Sequence, residues 1–340
     1  MQEFKNKKFF SFDRTCSIET FFTQPKKYDE IEKVSKEKKK LISIGSNLSY
    51  SPLSFCEETL SINFKNFKKI IDFNPKNKEI TVESGITLAE LLNFTLQHNL
   101  WIPQLPGYPS ITLGGVVATN AHGKSCAIHG TIRNSIKNIL LFHKNNGWLN
   151  LSKNENSEIF DLTIGGLGLT GSIVNITLNL SKLDSEYFST RKNYVKSLNQ
   201  CVEFVKRKSE IKNSYIYSWN RADSLENLGK GIIFENIPNN EKTKKIQPIL
   251  KKKSLYFLKP FFPIWNKLSI KIANELFLSF NKKFYTNKNE TFTKVIFPFY
   301  GKESYFYFFG KKGFLESQLL IPYNKIEEFF DEFKFQFKKY

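Results

Sequence analysis

Cysteine is scarce. Four occur in 340 residues (Cys16, Cys56, Cys126 and Cys201), with no close pairing and no CxxC. That excludes a disulfide framework and a zinc finger, and reads as reduced thiols in a cytoplasmic protein with no metal site. Long apolar runs are absent too: no stretch of about 18 uncharged apolar residues could span a membrane. The first ten residues, MQEFKNKKFF, are charged and lack the apolar core of a secretory signal. There is no internal repeat and no basic helix with a base-reading pattern, so no nucleic-acid partner is expected.

Acidic residues are the rarer charge. Lysine plus arginine number 51 against 32 aspartate plus glutamate, a net +19. Such a surplus could attract nucleic acid, an anionic membrane or a phosphorylated substrate. Lysine is spread along the whole chain among Asn, Phe and Ile, which is also the pattern of a soluble basic surface. An apolar content of 40% with 15% aromatics excludes a disordered chain, and 340 residues suffice for two domains.

Short strands and helices alternate over residues 41–180. Strand-like runs fall at 41–45, 59–64, 69–73 and 79–84. Thr87 to Glu90 forms a capping box, with Leu88, Leu91, Leu92 and Leu96 as the apolar face of the helix it opens. Residues 137–152 read as a hairpin turning on Asn146-Gly147, a pair suited to a type I′ turn. Residues 172–180 form an alternating β-branched strand. The second half is richer in Phe and Tyr, and its lysine-rich stretch 241–253 reads as an exposed loop. A domain boundary is expected near residue 181.

Three glycine-containing segments stand together: Gly45 to Tyr50 directly after a strand, Pro106 to Lys124, and Gly165 to Gly171. Glycine lets backbone N–H groups approach phosphate oxygens and form anion-binding nests. The third segment holds a literal GxGxxG from Gly166 to Gly171. A dinucleotide fingerprint of the Rossmann type must open a helix. Here a strand follows, so that reading is rejected.

Taken with residues 100–107 and 310–322, these segments resemble the FAD enzymes of the vanillyl-alcohol-oxidase fold, also called the PCMH-type FAD domain. The likeness is greatest to flavin subunits acting on polyprenyl-phosphate pentoses in cell-envelope polysaccharide biosynthesis. It implies an α+β chain: a two-subdomain PCMH-type FAD-binding domain over 1–180, then an incomplete α+β substrate domain with an antiparallel sheet over 181–340. The family pattern runs on past the position of Tyr340. This sequence therefore reads either as a piece of a longer chain or as a shortened relative.

The resemblance also assigns roles. Ser43, Gly45, Ser46, Asn47, Leu48, Ser49 and Tyr50 match the turn around the FAD pyrophosphate. Asn47 replaces a glycine, and Asn tolerates the left-handed region. Leu48 stands where relatives that attach FAD covalently carry histidine, so the flavin is expected to be non-covalent. Gly107, Thr112, Leu113, Gly114 and Gly115 match the segment along the flavin and phosphates. Thr119, Asn120, Ala121 and His122 match the stretch facing the ring, and Ile173 matches a backbone contact. Catalytic candidates are His122, Tyr50 and Lys124. Lys124 and Gln318 are candidate substrate contacts, Gln318 within a substrate-domain strand. Each has a bland alternative: a structural histidine, a packed tyrosine, a solvated lysine.

The implied reaction oxidises a sugar secondary alcohol to a ketone by hydride transfer to flavin N5. A short-chain reductase is an implied partner. A soluble aldonolactone or alditol oxidase, or a non-catalytic FAD-binding subunit, remains open. The apolar, aromatic and basic residues 259–277 could lie on the inner membrane, cover a lipid-phosphate substrate, or form an ordinary amphipathic core segment.

Overall fold

The computed structural model describes residues 4–12, 16–37, 40–124, 126–183, 185–208, 211, 214–239, 248–249, 263–283, 288–302, 305, 308–310 and 313–339. The elements run β1 Lys5–Phe10, β2 Ser17–Thr23, α1 Tyr28–Ser35, β3 Lys40–Ile44, β4 Thr59–Asn63, β5 Ile70–Asn74, β6 Glu79–Glu83, α2 Leu88–Thr95, β7 Leu100–Trp101, α3 Leu113–Ala118, α4 Cys126–His129, β8 Ile136–His143, β9 Gly147–Ser152, α5 Ser157–Thr163, β10 Ser172–Asn179 and β11 Ser181–Lys182. They continue with β12 Tyr187–Val195, α6 Leu198–Lys208, β13 Tyr215–Asn220, β14 Gly231–Asn239, α7 Lys267–Lys283, β15 Lys288–Thr291, α8 Phe292–Ile296 and α9 Ile326–Lys339.

The chain divides into two compact units that are not contiguous in sequence. The first comprises Met1–Asp184, Lys244–Leu255 and Ile296–Glu303; the second comprises Ser185–Thr243, Tyr256–Val295 and Ser304–Tyr340.

The first unit contains a four-stranded sheet in the order β1-β2-β4-β3 and a five-stranded sheet in the order β5-β6-β10-β8-β9. In the smaller sheet β4 pairs parallel with both β2 and β3. Its first four residues are buried, as an interior parallel strand covered on both faces requires. The larger sheet is antiparallel throughout. Ile31 and Val34 from α1, Leu60 and Ile62 from β4, Phe64, Phe67, Phe142 and Val174 form one buried cluster. Helix α2 starts where the capping box directs: Glu90 N–H donates to Thr87 Oγ1 at 3.2 Å, and Thr87 N–H to the Glu90 carboxylate at 2.9 Å. Leu88, Leu91 and Leu92 point into the core, and Leu96 continues that face into the following turn.

The second unit has an antiparallel sheet in the order β13-β14-β12-β15. Helix α6 packs Cys201 with Phe204 and Val205 against Val195, Ile216 and Ile233 on one face. Helix α7 meets the opposite face through Phe277 on Trp219, with ring centroids 4.7 Å apart.

Three sequence expectations need correction. The β8–β9 hairpin is not a type I′ turn: His143 pairs with Gly147, and of the two expected turn residues only Gly147 has positive φ, at 70°. A three-residue loop, 144–146, followed by the left-handed Gly147 takes its place. Residues 313–322 are not a strand. A strand exists by pairing, and no described strand pairs with them. Within the supposed exposed loop 241–253, Ile249 is buried, because its N–H donates to Asn93 Oδ1 at 2.8 Å and its carbonyl accepts from Asn93 Nδ2 at 3.3 Å. The rest of that stretch, apart from Pro248, and residues 259–262 lie outside the described residues.

Candidate functional site

A cleft of about 310 Å³ opens in the first unit. Three chain segments wall it: the loop leaving β3, the start of α3 with its approach, and the glycine turn that enters β10. Its lining includes Ser43, Gly45, Ser46, Asn47, Leu48 and Ser49 from the first segment. The second contributes Thr112, Gly114, Gly115, Thr119 and Ala121, and the third contributes Leu167, Gly168, Gly171 and Ile173.

The loop after β3 is shaped for an anion. Asn47 sits in the left-handed region at φ 56°, taking over the work of a glycine. The backbone N–H groups of Ser46, Asn47, Leu48 and Ser49 have no backbone acceptor among the described residues. Successive donors around a left-handed residue form a nest suited to phosphate oxygens. Gly45 is needed because a Cβ there would collide with Thr112 Oγ1. That oxygen is itself engaged: it caps α3 by accepting from Gly115 N–H. Ser43 Oγ and Ser172 Oγ lie 2.8 Å apart and tie the two sheets together at the cleft floor.

The second segment behaves differently from the first. Leu113 N–H donates to Ile86 O and Gly114 N–H to Ser84 O, both at 2.8 Å. These donors are committed within the protein. A Cβ at Gly114 would sit 3.0 Å from Ser84 Cβ. The glycine therefore allows α3 to lie against the residue following β6, while its own backbone lines the cleft. Leu113 is fully buried in the core and does not line the cleft.

Beyond α3, Asn120 has φ 45° and a buried Oδ1 with no partner among the described residues. An acceptor left in that state asks for a donor. His122 Nδ1 lies 3.0 Å from Gly123 O. A carbonyl only accepts, so Nδ1 is the donor in this bond. Lys124 Nζ donates to Ile296 O at 2.7 Å, and burial pulls its pKa down to about 8. Burial likewise raises the nearby Cys126 thiol and lowers His129. A Cβ on Gly107 would lie 3.7 Å from Lys124 Nζ, so Gly107 borders the lysine and not the cleft lining. Tyr50 is exposed at the mouth of the loop, edge-on to Phe12 with centroids 5.4 Å apart. Gln318 is exposed in the irregular segment of the second unit, and so is Glu316.

Several lining residues carried no individual signal in the sequence. Ser84 joins because β6 ends there, and Leu53, Ser54 and Phe64 because two turns fold over the cleft. Leu167 was legible only as one member of a glycine segment. It occupies the left-handed region at φ 54°, with its N–H bonded to Ala118 O at 2.8 Å.

Two sheets meeting at a nest, a glycine cradle and a strand-opening glycine turn define a PCMH-type FAD-binding fold. Residues 21–152 match the model of the FAD binding domain family. It is similar to decaprenylphosphoryl-beta-D-ribose oxidase of Mycolicibacterium smegmatis (strain ATCC 700084 / mc(2)155), 28% identical over 85% of this chain and 65% of the relative. The L-gulonolactone oxidase of Bos taurus is 28% identical over 52% of this chain and 40% of its own length. The mitochondrial L-galactono-1,4-lactone dehydrogenase 2 of Oryza sativa subsp. japonica is 27% identical over 45% of this chain and 26% of its own length. The chain thus spans less than two thirds of each of these relatives.

The residues present fit FAD. The N–H groups of Ser46 to Ser49, which have no backbone acceptor among the described residues, suit the pyrophosphate, and Gly45 lets their loop lie against Thr112. Leu48 lines the cleft with an aliphatic side chain, which offers no nucleophile for a covalent link.

Proposed function

We propose that the chain is the FAD-bearing part of an oxidoreductase that converts a secondary alcohol of a sugar to a ketone, the sugar being a pentose carried on a polyprenyl phosphate. The observation that carries the reading is the nest and cradle between Ser43 and Ile173, with His122 and Lys124 on the segment that leaves it. FAD, when bound, supplies the hydride acceptor. His122 Nε2 takes the hydroxyl proton, while the bond from Nδ1 to Gly123 O holds the ring. Lys124 receives an anionic group of the substrate. Tyr50 stands at the mouth as a further polar contact, and Gln318 is the proposed sugar contact from the second unit.

The preference for a polyprenyl-linked sugar over a free lactone rests on extent. The likeness to the ribose oxidase covers 85% of the chain and so reaches well into the second unit, whereas that to the bovine lactone oxidase covers 52%. A short-chain reductase would fit as a partner, because a ketone product can be returned to an alcohol of opposite configuration.

Anaerobic reduction of the FAD-loaded chain tests the reading. A polyprenyl-phosphate riboside is expected to bleach the flavin, and L-gulono-1,4-lactone is not. Bleaching by the lactone alone would replace the reading with a soluble lactone oxidase. Flavin that no sugar reduces, in this chain or in a longer form continuing past Tyr340, would leave a non-catalytic FAD-binding subunit.

A further inference from the structure

Helix α7 is turned inside out. At 3.6 residues per turn, side chains four apart drift only about 40°, so Leu268, Ile272, Leu276 and Phe280 cover one face about 120° wide. That face is solvent-exposed, at 69%, 52%, 66% and 67% respectively, and Ile264 extends it by one step. The opposite face is the one the protein holds, and it mixes the polar Asn274 and Asn281 with Phe277 on Trp219. Asn274 donates to Asp223 at 2.9 Å and Lys192 donates to Asn281 at 2.8 Å; the buried Arg221 joins Asp223 to Glu275, which is exposed at the Leu268 border of the stripe. Leu278 is the apolar residue buried among them. A helix that merely covers a sheet does the reverse, burying its apolar stripe and exposing its polar one.

Charge selects the occupant of this face. Lys267 and Lys271 are exposed, and helical spacing puts Lys271 along the Leu268 border of the stripe; Lys282 Nζ lies over the Tyr194 ring, 3.8 Å from its centroid. The whole chain carries a net +19. A second copy would bring the same lysines and the same positive field to the contact. A sheet of anionic lipid headgroups complements the lysines, and the acyl boundary beneath it accepts the stripe. No helix among the described residues is long and apolar enough to cross a membrane.

We infer that α7 lies in the plane of an anionic phospholipid surface, with the Leu268–Phe280 stripe inserted and the lysines at headgroup level. This goes beyond the oxidoreductase reading and does not rest on it, so its test uses no sugar. The FAD-loaded full chain is floated with vesicles of phosphatidylcholine alone and of equal parts phosphatidylcholine and phosphatidylglycerol, with light scattering in parallel. Binding is expected to the anionic vesicles, weakening as salt screens the lysines. The double variant Leu268→Asp and Leu276→Asp should lower binding at least tenfold. The control Ile71→Asp and Leu162→Asp, at exposed apolar residues of the first unit outside the cleft lining, should keep it. Failure of the wild type to float, equal floating of both double variants, or a dimer that the α7 variant dissolves would each overturn the inference. The last outcome would identify a second copy as the occupant.

Discussion

At His122 one hydrogen bond decides which nitrogen is available. With Nδ1 donating to Gly123 O, Nε2 is the nitrogen we propose as the proton acceptor. General bases contribute about 10²–10⁴-fold, so His122→Ala is expected to slow anaerobic flavin reduction at least ~tenfold while leaving bound FAD and the melting temperature unchanged. Stopped-flow reduction beside a melting curve checks this. A lowered melting point with normal reduction would make the histidine structural. Lys124 gives a second test. Its pKa of about 8 means the ammonium is present near neutrality and lost as pH rises through 8. KM for a phosphate-bearing substrate should therefore climb above pH 8 in the wild type. In Lys124→Arg it should stay flat, because the guanidinium keeps its charge. The sign for stability is opposite. The unfolded lysine titrates near 10.4, so between pH 8 and that value the unfolded chain holds more protons, and this residue's share of stability rises with pH. A KM that is flat from pH 7 to 9 in the wild type would remove Lys124 from the substrate.

Among the elements, the loop after β3 and the start of α3 depend on each other. Thr112 caps the helix with the same oxygen that fills the space over Gly45. Valine at position 45 must displace a stiff β-branched side chain, an overpacking that costs about 1–3 kcal/mol, with a further ~1 kcal/mol where the cap is lost. Gly45→Val is expected to weaken FAD binding at least tenfold in a fluorescence titration. Gly114→Val should do the same through Ser84. Gly147→Asn is the control: the position is left-handed with nothing within 4 Å of a Cβ, and Asn accepts that conformation. Wild-type affinity in Gly45→Val would show that this loop does not hold the cofactor. At this scale the sequence was readable where local chemistry sets the outcome. The capping box at Thr87, the β-branched run of β10 and the left-handed Asn47 follow from neighbouring residues. The turn of the β8–β9 hairpin and the unstructured 313–322 did not, because loop length is fixed by strand register and strands exist only through distant partners.

For the whole molecule, two compact units share one chain, and the glycine-walled cleft proposed for FAD lies within the first. Ligand that binds only the folded state at a hundred times its Kd adds about 2.7 kcal/mol, so FAD is expected to raise the melting transition of the first unit. Because Leu48 offers no attachment, acid precipitation should release the flavin into the supernatant. Yellow colour retained in the pellet would mean a covalent link elsewhere. The sequence by itself determined which segments resemble an FAD-binding domain: three glycine-containing stretches and a strand, not a helix, after the GxGxxG. Only the tertiary structure decided which donors are free. Gly114 N–H is spent on Ser84, whereas those of Ser46 to Ser49 have no backbone acceptor among the described residues, and such a difference depends on segments remote in sequence meeting in space. It also decided the orientation of α7, since periodicity marks an apolar stripe but the partner network around Arg221 and Asp223 fixes which side of the helix is held.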